Sequence, residues 1–394
     1  MTQSPLIFRR GLNLKHEVAH VLAESYHSEL VTAIKASDYR FTSGRLNVYL
    51  AREFGFCYGV DRAVDYAYQT RKRFSDRTVY LTGEIIHNPH VNDQIRAQGI
   101  RFLSDPGESF ESLTPADVVI LPAFGITTEL LQSLVDRGCT LVDTTCGSVL
   151  NVWKNVKRYS DEGFTSVIHG KYWHEETRAT ASQAYQAGRG HFLVVLDRSE
   201  ATTVCDYIRH GGDRSAFLSR FEHAISPGFE PDTQLSHIGC ANQTTMLSSE
   251  SLEIGEMFRH AIGERYGEPS LPERFRAFDT ICSATQDRQD AILQLLDERP
   301  LDLIIVLGGY NSSNTCNLAR ICAERMPTYH IADPGGLVSS DEIRHKPVHS
   351  KQETTTMGWI PPGPLAVGLT SGASTPDNLV EAVIRRLDAL TSPS

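Results

Sequence analysis

From Leu46 onward the chain repeats one pattern: a short apolar, β-branched run, a loop containing Gly, Asn or Ser, then a stretch with apolar residues at helical spacing. The clearest runs are Val79–Leu81, Val118–Leu121, Ser166–Ile168, Phe192–Leu196, Leu303–Leu307 and Ala366–Leu369. Parallel strands need a connection long enough to hold a helix, so this alternation predicts an α/β fold with mainly parallel sheets. Residues His16 to Ile34 precede the pattern and show helical spacing, which predicts an appended amphipathic helix. The segment Asp197–Leu235 is polar and closed by Pro227, Gly228 and Pro231, and reads as an insertion. Lys346–Thr356 reads as a loop, and Pro361-Pro362-Gly363-Pro364 as a linker. At about 100–200 residues per domain, a chain of 394 residues predicts two or three domains.

Charge and cysteine usage exclude several classes. Lys and Arg number 38 against 48 Asp and Glu, a formal charge of −10, which argues against a nucleic-acid or membrane-surface footprint. There is no apolar run of about 18 residues, the length a membrane helix needs. The first ten residues lack the pattern of a secretory signal and the last five lack a lipidation motif, so a cytoplasmic location is expected. Eight cysteines in such a chain should be mostly thiols. None forms C-x-x-C, and the closest pairs, Cys316/Cys322 and Cys139/Cys146, fit neither a zinc ribbon nor a two-cluster ferredoxin run.

Three of these cysteines stand at strand-to-helix junctions. Asp143-Thr144-Thr145-Cys146 and Asp279-Thr280-Ile281-Cys282 share a layout, and Glu53-Phe54-Gly55-Phe56-Cys57 is a looser copy. A helix start stabilises a thiolate, and the carboxyl ends of parallel strands gather ligands. Three such thiolates suit an iron–sulfur cubane whose fourth iron stays open as a Lewis acid. Taken singly, each cysteine has a plainer reading, because cysteine is among the most buried residue types. Strand-end loops rich in Ser, Thr, Asn and His, such as Ile86-His87-Asn88, Asn311-Ser312-Ser313-Asn314 and Ser371-Gly372-Ala373-Ser374, suit phosphate oxygens, although the same residues also cap helices. Glu176, beside His174 and Thr177, is a candidate proton donor. Gly308-Gly309-Tyr310 matches neither a dinucleotide fingerprint nor a P-loop.

The ordered set Gly55-Phe56-Cys57-Tyr58-Gly59-Val60, Ile86-His87-Asn88, Asp143-Thr144-Thr145-Cys146, His174-Glu175-Glu176-Thr177, Gln243-Thr244-Thr245, Ile281-Cys282-Ser283-Ala284-Thr285, Asn311-Ser312-Ser313-Asn314 and Gly372-Ala373-Ser374 resembles the 4-hydroxy-3-methylbut-2-enyl diphosphate reductase family, from about Val48 to Leu387. The resemblance implies three related α/β lobes around a [4Fe-4S] cluster held by Cys57, Cys146 and Cys282. It implies that His87, His174, Ser312, Ser313, Asn314 and Ser374 hold the diphosphate. Thr244 and Glu176 would face the allylic hydroxyl and relay protons, with Thr285 nearby. The implied organisation is a helical extension over 1–47, lobes over 48–145, 146–281 (with the insertion near 197–235) and 282–364, and a closing strand and helix over 365–394. Phe124 stands where many bacterial members have histidine, and this feature, with the extension and the insertion, resembles the plant and cyanobacterial branch.

The implied reaction is a two-electron, two-proton reductive dehydroxylation of the allylic diphosphate to isopentenyl and dimethylallyl diphosphates. The implied electron donor is ferredoxin or flavodoxin, for which Arg71-Lys72-Arg73 is one candidate dock and a solvated helix end the plainer reading; a monomer or homodimer is expected. Two other classes stay open. A redox-neutral [4Fe-4S] hydro-lyase would need arginines for substrate carboxylates, and the strand-end loops are almost free of arginine. A non-catalytic cluster sensor would not need Glu176 and Thr244.

Overall fold

The computed structural model describes residues 6–186, 188–278 and 280–392. They form two compact units. Among the described residues, the middle unit is Leu121–Cys282 with Leu113–Pro115, Leu6 and Ile7; the terminal unit is Phe8–Ser112, Ala116–Ile120 and 283–392. Among the described residues no helix is long and apolar enough to cross a membrane.

The middle unit is built on a parallel sheet in the order Phe275–Ala277, Ile238–Asn242, Thr165–His169, His191–Val195. Its two central strands are buried along their whole length, as expected of parallel strands covered on both faces. The Gly147–Asp161 helix lays Tyr159 across Gly239, where a Cβ would sit 2.5 Å from the ring, and the Tyr159 hydroxyl donates to the Cys240 carbonyl at 3.0 Å. Only glycine lets the ring lie that close to the strand. The 197–235 insertion is three helices, Arg198–His210, Arg214–Arg220 and Pro231–Gln234. Its polar surface conceals Val204, Phe217, Phe221 and Phe229, which join the unit's main core with Phe258 and Ile262. Asp197 and Asp213 cap its first two helices through the amides of Glu200 and of Ser215 and Ala216.

In the terminal unit the sheet order is Thr328–Ile331, Leu303–Leu307, Leu365–Ser371, Leu46–Leu50, Arg40–Ser43, parallel except for the last pair. A smaller parallel set places Val79–Leu81 between Arg101–Phe102 and Val118–Leu121. The six apolar runs read from the sequence are all strands, within two residues at either end. The loop expected over Lys346–Thr356 is shorter: Thr354–Met357 pairs antiparallel with Glu342–His345, consistent with a run of β-branched threonines.

The amino-terminal segment is two helices, not one: Lys15–Tyr26 and Glu29–Ala36. Ser28 accounts for the break, because its hydroxyl accepts from the Val31 amide at 2.9 Å and donates to Glu381 at 2.6 Å, starting a new helix. Arg71-Lys72-Arg73 ends the Tyr58–Arg73 helix, and Arg71 donates to the carbonyls of Phe74 and Arg77 at 3.0 Å. That is the work of a helix C-terminus. The amino-terminal segment is secured by Gln69, which is buried and whose side-chain carbonyl accepts from the amides of Leu12 at 3.2 Å and Leu14 at 3.1 Å.

Gln69→Ala should therefore strand these amides. An unsatisfied buried polar group costs about 1–3 kcal/mol, so the denaturant midpoint should drop and limited proteolysis should gain a cleavage near Leu12–Leu14. An unchanged midpoint and digestion pattern would show that the segment is held by apolar packing alone.

Candidate active site

Each of the three cysteines singled out by the junction pattern stands one residue before a helix. Cys57 precedes Tyr58–Arg73, Cys146 precedes Gly147–Asp161 and Cys282 precedes Ser283–Glu298. Their amides are tied to neighbouring loops: Cys57 to the Ala373 carbonyl at 3.1 Å, Cys146 to Ala123 at 2.8 Å and Cys282 to Thr244 at 3.2 Å. The Cys57 loop is gripped by its strand end, where Ser371 accepts from the Gly55 amide at 3.0 Å, and Gly55 takes a φ of +81° that favours glycine. In the Cys146 junction Asp143 accepts from both the amide and the hydroxyl of Thr145, at 3.0 and 2.6 Å. The matching Asp279 lies outside the described residues.

The other cysteines are of a different kind. Cys139, Cys205, Cys240 and Cys322 are buried. Burial pushes the Cys205 thiol up to about 12, and those of Cys240 and Cys322 further up, so these stay protonated. Cys316 is half-buried but lies within the Ser313–Ala323 helix and donates to the Tyr310 carbonyl at 3.3 Å. Cys57, Cys146 and Cys282 are the half-buried thiols at helix starts. This donor set fits a thiolate-ligated cluster. Among the described residues no cysteine forms a disulfide.

In the middle unit, Glu176 lies in the first turn of the Glu175–Ala184 helix and is 3 % exposed. Thr244 clasps its carboxylate twice: the Thr244 amide donates to Oε1 at 2.5 Å and its hydroxyl to Oε2 at 3.0 Å. The Thr244 carbonyl holds the Cys282 amide, so Thr244 ties Glu176 to the backbone of the Cys282 junction. His174 caps the same helix by accepting the Glu176 amide at Nδ1, 3.1 Å. A neutral imidazole that accepts at Nδ1 carries its proton at Nε2. Phe124 meets the His174 ring edge-on, with centroids 6.1 Å apart. Gln243 fixes the adjoining loop by accepting from the Lys171 amide and the Thr177 hydroxyl, both at 3.1 Å.

The terminal unit gathers Cys57, His87, Ser312, Ser313, Asn314, Ser374 and Thr285. Ser312 caps the Ser313–Ala323 helix, accepting from the Thr315 amide at 3.3 Å and its hydroxyl at 3.0 Å. Asn314, in the first turn, is 2 % exposed, and among the described residues neither its amide nitrogen nor its carbonyl oxygen has a partner. Such a group costs about 1–3 kcal/mol unless a ligand satisfies it. His87 donates from Nδ1 to Glu84 at 2.8 Å, and its carbonyl accepts from Ser374 at 3.1 Å. That carbonyl also lies 2.6 Å from where a Cβ on Gly309 would be, so the two loops meet only because Gly309 has no side chain. From behind, His330 donates to the Gly308 carbonyl at 2.9 Å and Lys346 to the Tyr310 carbonyl at 3.2 Å.

Glu84 and His330 were not legible as site residues. Glu84 has a local signal, standing three residues before a singled-out histidine; His330 sits in a strand and has none.

A family model described as LytB protein matches residues 48–388. The 4-hydroxy-3-methylbut-2-enyl diphosphate reductase of Gloeobacter violaceus is 50 % identical, over 98 % of this chain and 93 % of its own length. The enzyme of the same name from Thermosynechococcus vestitus is 48 % identical, over 98 % of this chain and 94 % of its own. A solved (E)-4-hydroxy-3-methyl-but-2-enyl diphosphate reductase, described as the terminal enzyme of the non-mevalonate pathway, aligns with 87 % of this chain and 99 % of its own at a TM-score of 0.54 and 26 % identity. The Plasmodium falciparum E-1-hydroxy-2-methyl-but-2-enyl-4-diphosphate reductase aligns with 88 % of both chains at a TM-score of 0.63 and 20 % identity, a likeness of fold. The resemblance read from the motifs is thus borne out, and its placement near the cyanobacterial members agrees with these relatives.

Burial lowers the His330 pKa from 6.5 to about 4. The unfolded chain takes this proton near pH 6.5 and the folded chain only near pH 4, so unfolding between these values takes up a proton. Stability present above pH 6.5 should be lost progressively as pH falls to 4, by about 3 kcal/mol at most. Urea midpoints at pH 7 and pH 5 check this, and His330→Gln, which keeps a donor for Gly308 but does not titrate, should flatten the acid limb. An acid limb as steep in His330→Gln as in the native chain would remove His330 from the account.

Proposed function

The chain belongs to the LytB family, and on that premise we propose how its residues divide the work of reducing 4-hydroxy-3-methylbut-2-enyl diphosphate. It is an iron–sulfur oxidoreductase that breaks the allylic C–O bond with two electrons and two protons. The hydroxyl leaves as water, and the products are isopentenyl and dimethylallyl diphosphates. Cys57, Cys146 and Cys282 would hold a [4Fe-4S] cluster with one iron open. Such a cluster, when bound, supplies the electrons and a Lewis acid for the substrate oxygen. Reduced ferredoxin or flavodoxin is the assigned electron source.

The diphosphate falls to His87, His174, Ser312, Ser313, Asn314 and Ser374. Asn314 supports this assignment because its buried amide lacks a partner among the described residues at a helix start, where free N–H groups favour anions. His174 contributes as a neutral donor from Nε2, its tautomer fixed by the Glu176 amide. His87 already donates from Nδ1 to Glu84, so it donates from Nε2 only as the imidazolium.

Protonation of the leaving hydroxyl falls to Glu176 acting with Thr244. With Glu176 ionised, the Thr244 hydroxyl donates to it, as observed. When Glu176 carries the proton, that hydrogen bond reverses, and the Thr244 hydroxyl turns its own proton toward the substrate oxygen. One proton thus reaches the hydroxyl while Thr244 is restored. The observation that carries this reading is the double clasp on Glu176 by a residue whose carbonyl holds the Cys282 amide.

Replacing Glu176 by Gln removes the titratable proton while keeping the shape of the site. Turnover by anaerobically prepared enzyme should drop about a hundredfold to ten-thousandfold, the usual worth of a positioned general acid, with cluster absorbance unchanged. Thr244→Val keeps the amide bond to Glu176 but removes the relaying hydroxyl, and should lower turnover comparably. Normal turnover in Glu176→Gln would refute the proton relay, and turnover of the native chain without any reductant would indicate a hydro-lyase instead.

A further inference from the structure

Arg288 lies in the Ser283–Glu298 helix, on the same buried stripe as Thr285, Ile292 and Leu295, and is itself only 3 % exposed. Arginine is almost never that buried without an acidic partner. Here the hydrogen bonds of its guanidinium within the protein go to two backbone carbonyls: Ala284 at 2.7 Å and Gly55 at 2.8 Å. No carboxylate pairs with it among the described residues, and its Nε is buried without a partner. A helical side chain leans toward the helix start, and this one reaches back to within two residues of Cys282 in sequence. Its other anchor, Gly55, is two residues before Cys57.

The arrangement leaves a full positive charge in a low-dielectric place with no carboxylate paired to it among the described residues. Carbonyl dipoles satisfy its N–H groups but do not cancel its charge. A cost of this kind persists where a bound anion offsets it. We propose that Arg288 is a positioning residue for the iron–sulfur site. Its two bonds brace the Cys57 loop against the first turn of the Ser283–Glu298 helix, and its uncompensated charge raises the reduction potential of the bound cluster. The inference rests on the cysteine assignment made above. A cubane core of charge two plus with three thiolates is a net anion, and adding one electron from an external donor makes it more negative by one charge. A fixed cation nearby favours the reduced form, because opposite charges attract more strongly in a medium of low dielectric.

The test is a reductive titration of the anaerobically loaded full chain with dithionite, followed by optical and electron paramagnetic resonance spectra, on the native protein, Arg288→Gln and Arg288→Lys. Iron and sulfide analysis comes first: a native chain that binds no cluster would defeat the cysteine assignment itself, separately from the role of Arg288. With equal iron content, Arg288→Gln should have a lower midpoint potential, by about tenfold in the reduced-to-oxidised ratio, or 59 mV for one electron. Arg288→Lys keeps the charge without the fork, and should stay near the native potential while losing thermal stability. An Arg288→Gln potential equal to the native one overturns the proposal, as does a Lys variant lowered as far as the Gln variant. Should Arg288→Gln fail to fold, Arg288→His decides: its potential should decrease, beyond the native dependence, as pH is raised through the imidazole titration, and a profile superimposed on the native one overturns the proposal.

Discussion

A helix begins with backbone N–H groups that have no carbonyl within the helix to receive them. Parallel sheets set many such beginnings at the carboxyl ends of strands, since every strand must turn into a connecting helix. In this chain those groups are answered in two ways. At Asp197, Asp213 and Ser28 an oxygen of the cap residue takes them, and the helix is simply finished. At Cys57 and Cys146 the side chain makes no such capping bond, and a half-buried sulfur stands at the positive end of the helix. His174 and Ser312 also cap their helices, so the bare cap marks the junction cysteines and not the site as a whole.

The same distinction explains why sequence went as far as it did. Strand positions were legible because Leu303–Leu307 and Val118–Leu121 are unbroken apolar runs, which parallel strands require. The junction cysteines were legible because a thiol just before a helix leaves a positional trace. The insertion was harder: its charged residues dominate the reading, while Phe217, Phe221 and Phe229 are spread over a helix, its end and the loop after it, and only the packed core shows that they belong together. The single amino-terminal helix was misread for a related reason, since apolar spacing runs on through His27-Ser28 and only the hydrogen bonds of Ser28 reveal a new start.

What sequence withheld at the site is mostly long-range. Thr244 and Glu176 are 68 positions apart, and although the resemblance implied that they act together, their direct pairing shows only in the fold. Arg288 left a faint trace, because it falls on the stripe with Ile292 and Leu295, where an apolar residue would be normal. Read alone, an arginine on a helix means a solvated face; read against the stripe, it means a charge taken inside. The partner that explains it, the Gly55 carbonyl, is 233 positions away.

Phe124 differs from the histidine of many bacterial members in what it presents to its neighbours. A histidine in its place would offer a charged or polar contact to phosphate, and phenylalanine offers none. What it does offer is an aromatic edge against His174. The proton of His174 is not decided by that contact, because Nδ1 is already committed to the Glu176 amide. The donor at Nε2 therefore survives whichever ring stands at 124. The Glu175–Ala184 helix start orients both His174 and Glu176. Its rigidity comes in turn from Gln243, whose side-chain carbonyl holds Lys171 and Thr177 on either side of the turn. Gly170 has no room for a side chain there, with Thr177 and Gln243 about 3 Å from where a Cβ would be. The tightness of that turn, more than the identity of residue 124, keeps acid and imidazole in a fixed relation.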